Sequence, residues 1–322
     1  MFVETTNQAQ LVDTHGRGIN YLRLSITDRC NLRCFYCMPP TGVDKLPHDD
    51  ILRFEEMLEV ARAAVSLGVS KVRITGGEPL IKRGAVMLVR EISAWPGVKT
   101  VAMTTNGTRL EKYVKVLRDA GLTRINVSLD SLIPAVYRKI TRVGELDTVL
   151  RGIDSALAHG FPIKLNTVLI DGINSSELSG FIRFAQEKNV EVRFIERMSF
   201  EDNDPYVSQA DVIARLGELH DVKPVSDERN SPHVRLFDVD GARIGFISPR
   251  SVPFCSGCNK LRLKPNGELR ACLASAAHVD VRSVIRRPHT DRDLRQAVRE
   301  AVSLKPESGP WTANAEMWRV GG

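Results

Sequence analysis

Tyr21-Leu22-Arg23-Leu24-Ser25-Ile26-Thr27-Asp28-Arg29-Cys30-Asn31-Leu32-Arg33-Cys34-Phe35-Tyr36-Cys37 is the stretch on which the fold turns. Its first half is apolar and β-branched enough to predict a strand over Tyr21–Ile26, and three cysteines spaced C-x3-C-x2-C follow at once. Downstream the same alternation repeats. Strand-like runs fall at Lys71–Thr75, Thr100–Thr104, Arg124–Leu129, Ile163–Leu169 and Val190–Ile195. Helical periodicity fills the gaps at Phe54–Leu67, Ala85–Trp95, Leu110–Ala120, Leu146–His159 and Ser176–Lys188, several stopping before a glycine. Repeated strand–helix units predict right-handed crossovers and an α/β fold with a parallel sheet, six units being two short of a full eightfold barrel. Loops after such strands converge on one site. Here they carry Asp28-Arg29-Cys30, Gly76-Gly77-Glu78, Thr105-Asn106-Gly107 and Ser128-Leu129-Asp130.

The character changes after Met198. A polar segment to Tyr206 and a short helix over Val207–Leu219 are expected, then a hairpin turning at Asp240-Gly241 and a second at Pro265-Asn266-Gly267. Helical patterns follow at Asp280–Arg287 and Asp291–Ser303, and the tail is expected to be irregular. This divides the chain into 1–198, a barrel; 199–304, a C-terminal α+β domain; and 305–322, a tail ending in Gly321-Gly322.

Composition narrows the classes. The chain has 322 residues, 43% hydrophobic and 26% charged, which excludes wholesale disorder. No run approaches the ~20 apolar residues of a membrane helix, and Met1–Gln8 carries no basic-then-apolar leader, so a soluble cytoplasmic protein is expected. The net charge, 45 − 39 = +6, suits an anionic small molecule. The basic stretch Arg282 to Arg299 is interrupted by Asp291 and Asp293 and reads as a solvated helix, not a nucleic-acid surface.

All six cysteines fall in two groups of three: Cys30, Cys34, Cys37 and Cys255, Cys258, Cys272. Three thiolates can hold three irons of a 4Fe–4S cubane and leave the fourth iron open to a small molecule. Structural zinc wants four protein ligands. None stands near the first group, whereas His233 or His278 can complete a zinc site with the second, and that alternative stays open.

C-x3-C-x2-C after a first strand resembles the radical SAM superfamily, whose core is a partial (β/α)6 TIM-type barrel. Gly76-Gly77-Glu78-Pro79 is similar to that family's GGEP motif. The resemblance implies one 4Fe–4S cluster on Cys30, Cys34 and Cys37, with S-adenosylmethionine (SAM) contacted by Tyr36, Gly77, Ser128 and Met198. The added C-x2-C-x13-C, with Arg73-Ile74-Thr75-Gly76-Gly77-Glu78-Pro79-Leu80, Thr104-Thr105-Asn106-Gly107, Gly245-Phe246-Ile247-Ser248-Pro249 and the closing Gly321-Gly322, resembles the GTP 3′,8-cyclases of molybdenum cofactor biosynthesis over nearly the whole chain.

That likeness implies a lyase converting GTP to (8S)-3′,8-cyclo-7,8-dihydroguanosine 5′-triphosphate. A deoxyadenosyl radical takes hydrogen from C3′ of the ribose, and the ribose carbon adds to C8 of guanine. A second 4Fe–4S cluster on Cys255, Cys258 and Cys272 would hold the base. GTP would be bound by Arg23, Lys71, Arg73, Thr104, Lys164, Arg193, Lys260, Leu261 and Arg262, with Arg262, Gly321 and Gly322 taking part in catalysis. Implied partners are a flavodoxin- or ferredoxin-type electron donor, a downstream cyclic pyranopterin monophosphate synthase and a second copy of the chain. The chain departs from that family's pattern at Lys260, where Arg is usual, and at Arg197-Ser199, Gly84 and Trp318-Arg319, which leaves room for an altered substrate. A radical SAM enzyme acting on a peptide or another metabolite is the competing enzyme class, and an Fe–S electron carrier or zinc-stabilised binding module the competing non-enzyme one.

Overall fold

The computed structural model describes residues 10–44, 46–198, 206–226 and 233–309. Gly321, Gly322, Trp318, Arg319 and most of the segment expected as a polar loop after Met198 lie outside the described residues. The first half runs β1 (Tyr21–Ser25), α1 (Phe54–Ser66), β2 (Lys71–Thr75), α2 (Ala85–Ser93), β3 (Thr100–Thr105), α3 (Leu110–Asp119), β4 (Arg124–Ser128), α4 (Pro134–Thr141), α5 (Leu146–Ala158), β5 (Ile163–Leu169), α6 (Leu178–Lys188) and β6 (Glu191–Glu196). The strands pair parallel in sequence order from β1 to β6.

Parallel register sorts the residues of these strands into rows, because side chains alternate between the two faces. Leu24, Ile74, Met103, Ile125 and Ile163 are register partners across β1 to β5, and all are buried under the helices. Each fully buried side chain of this layer contributes about 1.5–3 kcal/mol. The helices supply the covering face: Met57, Val60, Ala61 and Ala64 of α1 are buried, and Gly68, at φ +101°, ends that turn where a Cβ would be strained.

The C-terminal half continues with α7 (Gln209–Gly217), β7 (Val222–Val225), β8 (Arg235–Val239), β9 (Ala242–Ile247), β10 (Lys260–Leu263), β11 (Glu268–Arg270), β12 (Val279–Asp280), α8 (Val281–Ile285) and α9 (Asp291–Ser303). Its strands extend the first sheet at both edges, β9 lying parallel to β6 and β10 parallel to β1. Among the described residues the result is one twelve-stranded sheet. Both expected hairpins form. Asp240 and Gly241 take φ +50° and +85°, as a tight two-residue turn requires.

Two elements depart from expectation. α4 is an additional helix begun by Pro134 at its first turn, where a missing N–H costs nothing. β7 is a largely exposed edge strand containing Pro224, which only an edge tolerates.

The hairpin bearing Cys272 is pinned by Glu268. Burial works to raise that carboxyl, but hydrogen bonds from Lys264 and Asn266 and the charges of Lys264 and Arg270 bring it down to about 2. A depressed carboxyl stabilises the fold above its unfolded value of 4.5 and loses that contribution as pH falls through the folded value. Glu268→Gln should therefore lower the thermal midpoint by a constant amount above about pH 5, and the gap to wild type should close toward pH 2. A gap independent of pH would remove the ionic explanation.

Candidate functional site

The first cysteine group sits in the loop after β1, braced from three sides. Cys37 N–H donates to the Cys34 carbonyl at 2.9 Å, closing a turn that sets the spacing of the thiols. The end of α4 holds the loop: Arg33 N–H donates to Thr141 O and Phe35 N–H to Ile140 O, each at 3.1 Å, while Arg142 reaches the carbonyls of Arg33 and Met38. The third brace is Gly76-Gly77-Glu78. Gly77 N–H donates to Thr27 O and Glu78 N–H to Arg29 O, both at 2.8 Å. A Cβ on Gly77 would stand 2.2 Å from the Arg29 carbonyl, so this glycine is demanded by the chain's own backbone.

Glu78 is fully buried, and its carboxylate accepts from Leu80 N–H (2.9 Å), the Thr105 hydroxyl (2.8 Å) and Asn106 N–H (2.6 Å). Burial pushes it up to about 7 against those bonds. Asn106 in turn donates to Asn31 Oδ1 at 2.9 Å and leans on Cys30 Sγ at 3.8 Å, so the loops after β1, β2 and β3 form one polar unit.

Burial, then Asp130 and the neighbouring thiols, raises Cys34, and burial and Cys30 bring Cys37 to about 11. Each of these shifts includes the repulsion of a neighbouring thiol of the group. All six cysteines are free. Such thiols become thiolates when positive metal meets them, and three soft sulfurs in C-x3-C-x2-C spacing fit an iron–sulfur cubane.

A cavity of about 290 Å³ opens beside this loop at the strand ends. Tyr36, Ser128 and Met198 line it together with Cys255, Cys258 and Cys272 and with Arg23, Lys260, Arg262 and Thr104. Tyr36 is fixed by its phenol donating to Asp130 Oδ2 at 2.7 Å, and Asp130 is held by Val168 N–H at 2.9 Å. Burial raises Asp130 to about 6.

Register explains why the cations meet. Lys260, Tyr21 and Lys71 are partners in one row across β10, β1 and β2, and Arg262, Arg23 and Arg73 in the next one along. Lys71 lies over the Tyr21 ring at 4.5 Å. Arg73 donates to Tyr21 OH and, at 3.2 Å, to Thr104 Oγ1. Burial lowers Arg23 to about 9, and Arg262 and Arg73 add their repulsion. Burial depresses Lys260 as well, with Arg262 and Arg23 contributing. Among the described residues Arg262 Nη1 is buried without a hydrogen-bond partner. Concentrated buried cations of this kind are costly until an anion joins them.

The remaining expected residues are placed differently. Lys164 and Arg193 both donate to Glu191, each at 2.6 Å, so a carboxylate already answers them. Leu261 alternates between Lys260 and Arg262 and is buried with Leu22 in the apolar layer. Its side chain is not among those lining the cavity, as strand alternation explains. His233 lines the cavity, its ring 5.6 Å from Phe254, and burial followed by Lys260 pushes it well below the usual imidazole range. His278 is exposed and faces Ala276 O. Among the described residues no three His, Cys, Asp or Glu side chains gather closely enough to hold a single ion. Tyr21, Glu191 and Lys305 were not singled out as site residues beforehand, and Asp130 was noted only as part of the polar loop after β4. Glu191 shares a face with Arg193 by alternation and was legible to that extent; Tyr21 and Lys305 carry no local signal.

Known proteins resemble the chain over nearly its whole length. Residues 24–185 match the family model described as the Radical SAM superfamily, and residues 190–311 the one described as Molybdenum Cofactor Synthesis C. A GTP 3′,8-cyclase of Peptoclostridium acidaminophilum is 42% identical over 330 residues, covering 98% of this chain and 99% of its own. One from Moorella thermoacetica is 42% identical over 322 residues, covering 96% and 99%. The crystal structure of Streptococcus suis SuiB shares the fold at a TM-score of 0.63 and 16% identity, over 89% of this chain and 66% of that one. Among the described residues no helix is long and apolar enough to cross a membrane.

Proposed function

The chain belongs to the radical SAM superfamily and, within it, to the GTP 3′,8-cyclase family, and from that premise we propose how its residues divide the work. It cyclises GTP, using an iron–sulfur cluster and SAM. The loaded cluster and SAM together supply a carbon-centred radical able to abstract hydrogen from the substrate.

Cys30, Cys34 and Cys37 hold that cluster, and Tyr36, Gly77, Ser128 and Met198 surround SAM. Cys255, Cys258 and Cys272 hold a second cluster that receives the guanine base. Arg23, Lys260 and Arg262 receive the triphosphate, with Lys71 and Arg73 behind them; Lys164 and Arg193 join once Glu191 shares them. Positioning is the protein's main contribution: the Asp130–Tyr36 bond and the Glu78 brace keep the radical end fixed while the cation rows fix the other end of the substrate. The proposed division assigns 1–198 to the barrel and 199–304 to the substrate domain, with a catalytic part for Gly321-Gly322 at the chain end, outside the described residues. A flavodoxin- or ferredoxin-type donor, a cyclic pyranopterin monophosphate synthase downstream, a homodimer and a cytoplasmic setting complete the proposal.

The observation that carries it is one cavity lined by Tyr36, Ser128 and Met198, by the cations Arg23, Lys260 and Arg262, and by a second cysteine triad. A peptide-modifying relative has no need for that charge. Anaerobic incubation of reconstituted protein with SAM, dithionite and GTP, followed by chromatographic separation and mass analysis of the nucleotides, tests it. The expected products are 5′-deoxyadenosine and a cyclised isomer of GTP. Deoxyadenosine released beside unchanged GTP would overturn the substrate assignment.

A further inference from the structure

Lys305 begins the segment after α9 and is 3% exposed. Its ammonium has three donors and meets three acceptors: Ala271 O at 2.6 Å, Lys260 O at 3.1 Å and Cys258 Sγ at 3.3 Å. The first two belong to residues flanking the cysteine triad, and the third is one of its thiols. Four residues on, Gly309 N–H donates to Cys255 Sγ at 3.3 Å. Between them Arg17 clamps the segment. Its guanidinium donates to Pro306 O at 2.6 Å, Glu307 O at 3.0 Å and Cys255 O at 2.9 Å, and Asp13 anchors it from behind at 2.6 Å. Thus Lys305–Gly309 lies along the second triad and directs two N–H groups at two of its three sulfurs.

Nothing in the proposed chemistry of GTP requires a buried ammonium on this side of the cysteines. Lys305 does not line the cavity, so it does not touch substrate there. A fully satisfied buried cation against a thiolate has a definite physical effect. Hydrogen bonds to ligand sulfur and nearby positive charge both stabilise the more negative, reduced state of an iron–sulfur cluster. They also draw electron density from the sulfur, leaving an open iron more receptive to a neutral donor such as a purine nitrogen or oxygen.

We propose that Lys305, held by the Arg17-clamped segment, is the positioning residue that sets the charge and electron affinity of a second cluster on Cys255, Cys258 and Cys272. This rests on the assignment of a cluster to that triad. The test uses the full chain with Cys30, Cys34 and Cys37 replaced by Ala, so that only the second cluster is present, and reads its potential by anaerobic titration with dithionite followed by electron paramagnetic resonance.

Lys305→Met should retain a four-iron signal and lower the equilibrium constant for reduction at least tenfold, 59 mV for a one-electron couple. An intact cluster with an unchanged potential would overturn the proposal. If Lys305→Met fails to hold the cluster, Lys305→Arg decides: recovery of loading and of the wild-type potential supports a charge role, and continued loss in a chain that keeps its circular dichroism reduces Lys305 to packing and ends the idea. The parent chain carrying Lys305 is the control for the underlying assignment. If it binds no cluster, the triad's role fails, and Lys305 is not what was judged.

Discussion

Cys34→Ser is expected to abolish formation of 5′-deoxyadenosine from SAM and to remove one cluster's iron while leaving the other's. The thiol sits at the centre of the first loop: its carbonyl accepts from both Cys37 N–H and Met38 N–H, and its sulfur is coupled to Cys30 and Cys37. Serine keeps the turn but replaces a soft sulfur with a hard, weakly acidic oxygen. Losing a group that merely supports a metal ligand typically costs about 10–100-fold, so losing the ligand itself should exceed that. Two thiolates do not secure a cubane. Iron analysis should fall to about half of wild type, and the Cys255, Cys258, Cys272 signal should persist. Deoxyadenosine made at the wild-type rate by the reconstituted variant would refute the assignment of the first triad.

What was legible beforehand and what was not follow a physical line. The βα alternation was legible because burial under helices on one face imposes a local pattern, and the expected bounds of β2 and β5 coincide with those found. The two cysteine groups were legible because ligand spacing is local too. α4 escaped because its buried residues are few, Tyr137, Ile140 and Thr141, although it braces the very loop that carries the chemistry. Lys305 escaped for a different reason. Its position among Leu304, Pro306 and Glu307 marks a solvated chain end, and only the return of that segment beneath β10 buries it. The convergence of Arg23, Arg73 and Arg262 needed register, which no single strand contains. Resemblance supplied those residues in advance; the sheet supplies the reason they meet. For Glu191 the sequence permitted the contact with Arg193 and could not foresee that Lys164 would share it.

Arg262→Ala separates binding from radical generation. Its half-buried side chain lines the cavity, one row along from Lys260 and level with Arg23, with Nη1 buried and lacking a partner among the described residues. Removing one partner of a buried hydrogen-bonded charge pair costs about 2–5 kcal/mol, so kcat/KM for GTP should fall roughly 30-fold or more. SAM cleavage depends on the loop after β1, whereas Arg262 lies on β10, and it should decline far less. The unliganded protein supplies a second measurement. Arg262 adds to the repulsion on Arg23 and Lys260, so its loss relieves both. The thermal midpoint without GTP should be unchanged or higher, while the upward shift on adding GTP shrinks. Arg262→Lys should recover part of the loss, since it restores the charge without the planar fork that grips phosphate. A midpoint that drops together with both activities would mean that Arg262 supports the fold, and the anion site would have to be sought elsewhere in the cavity.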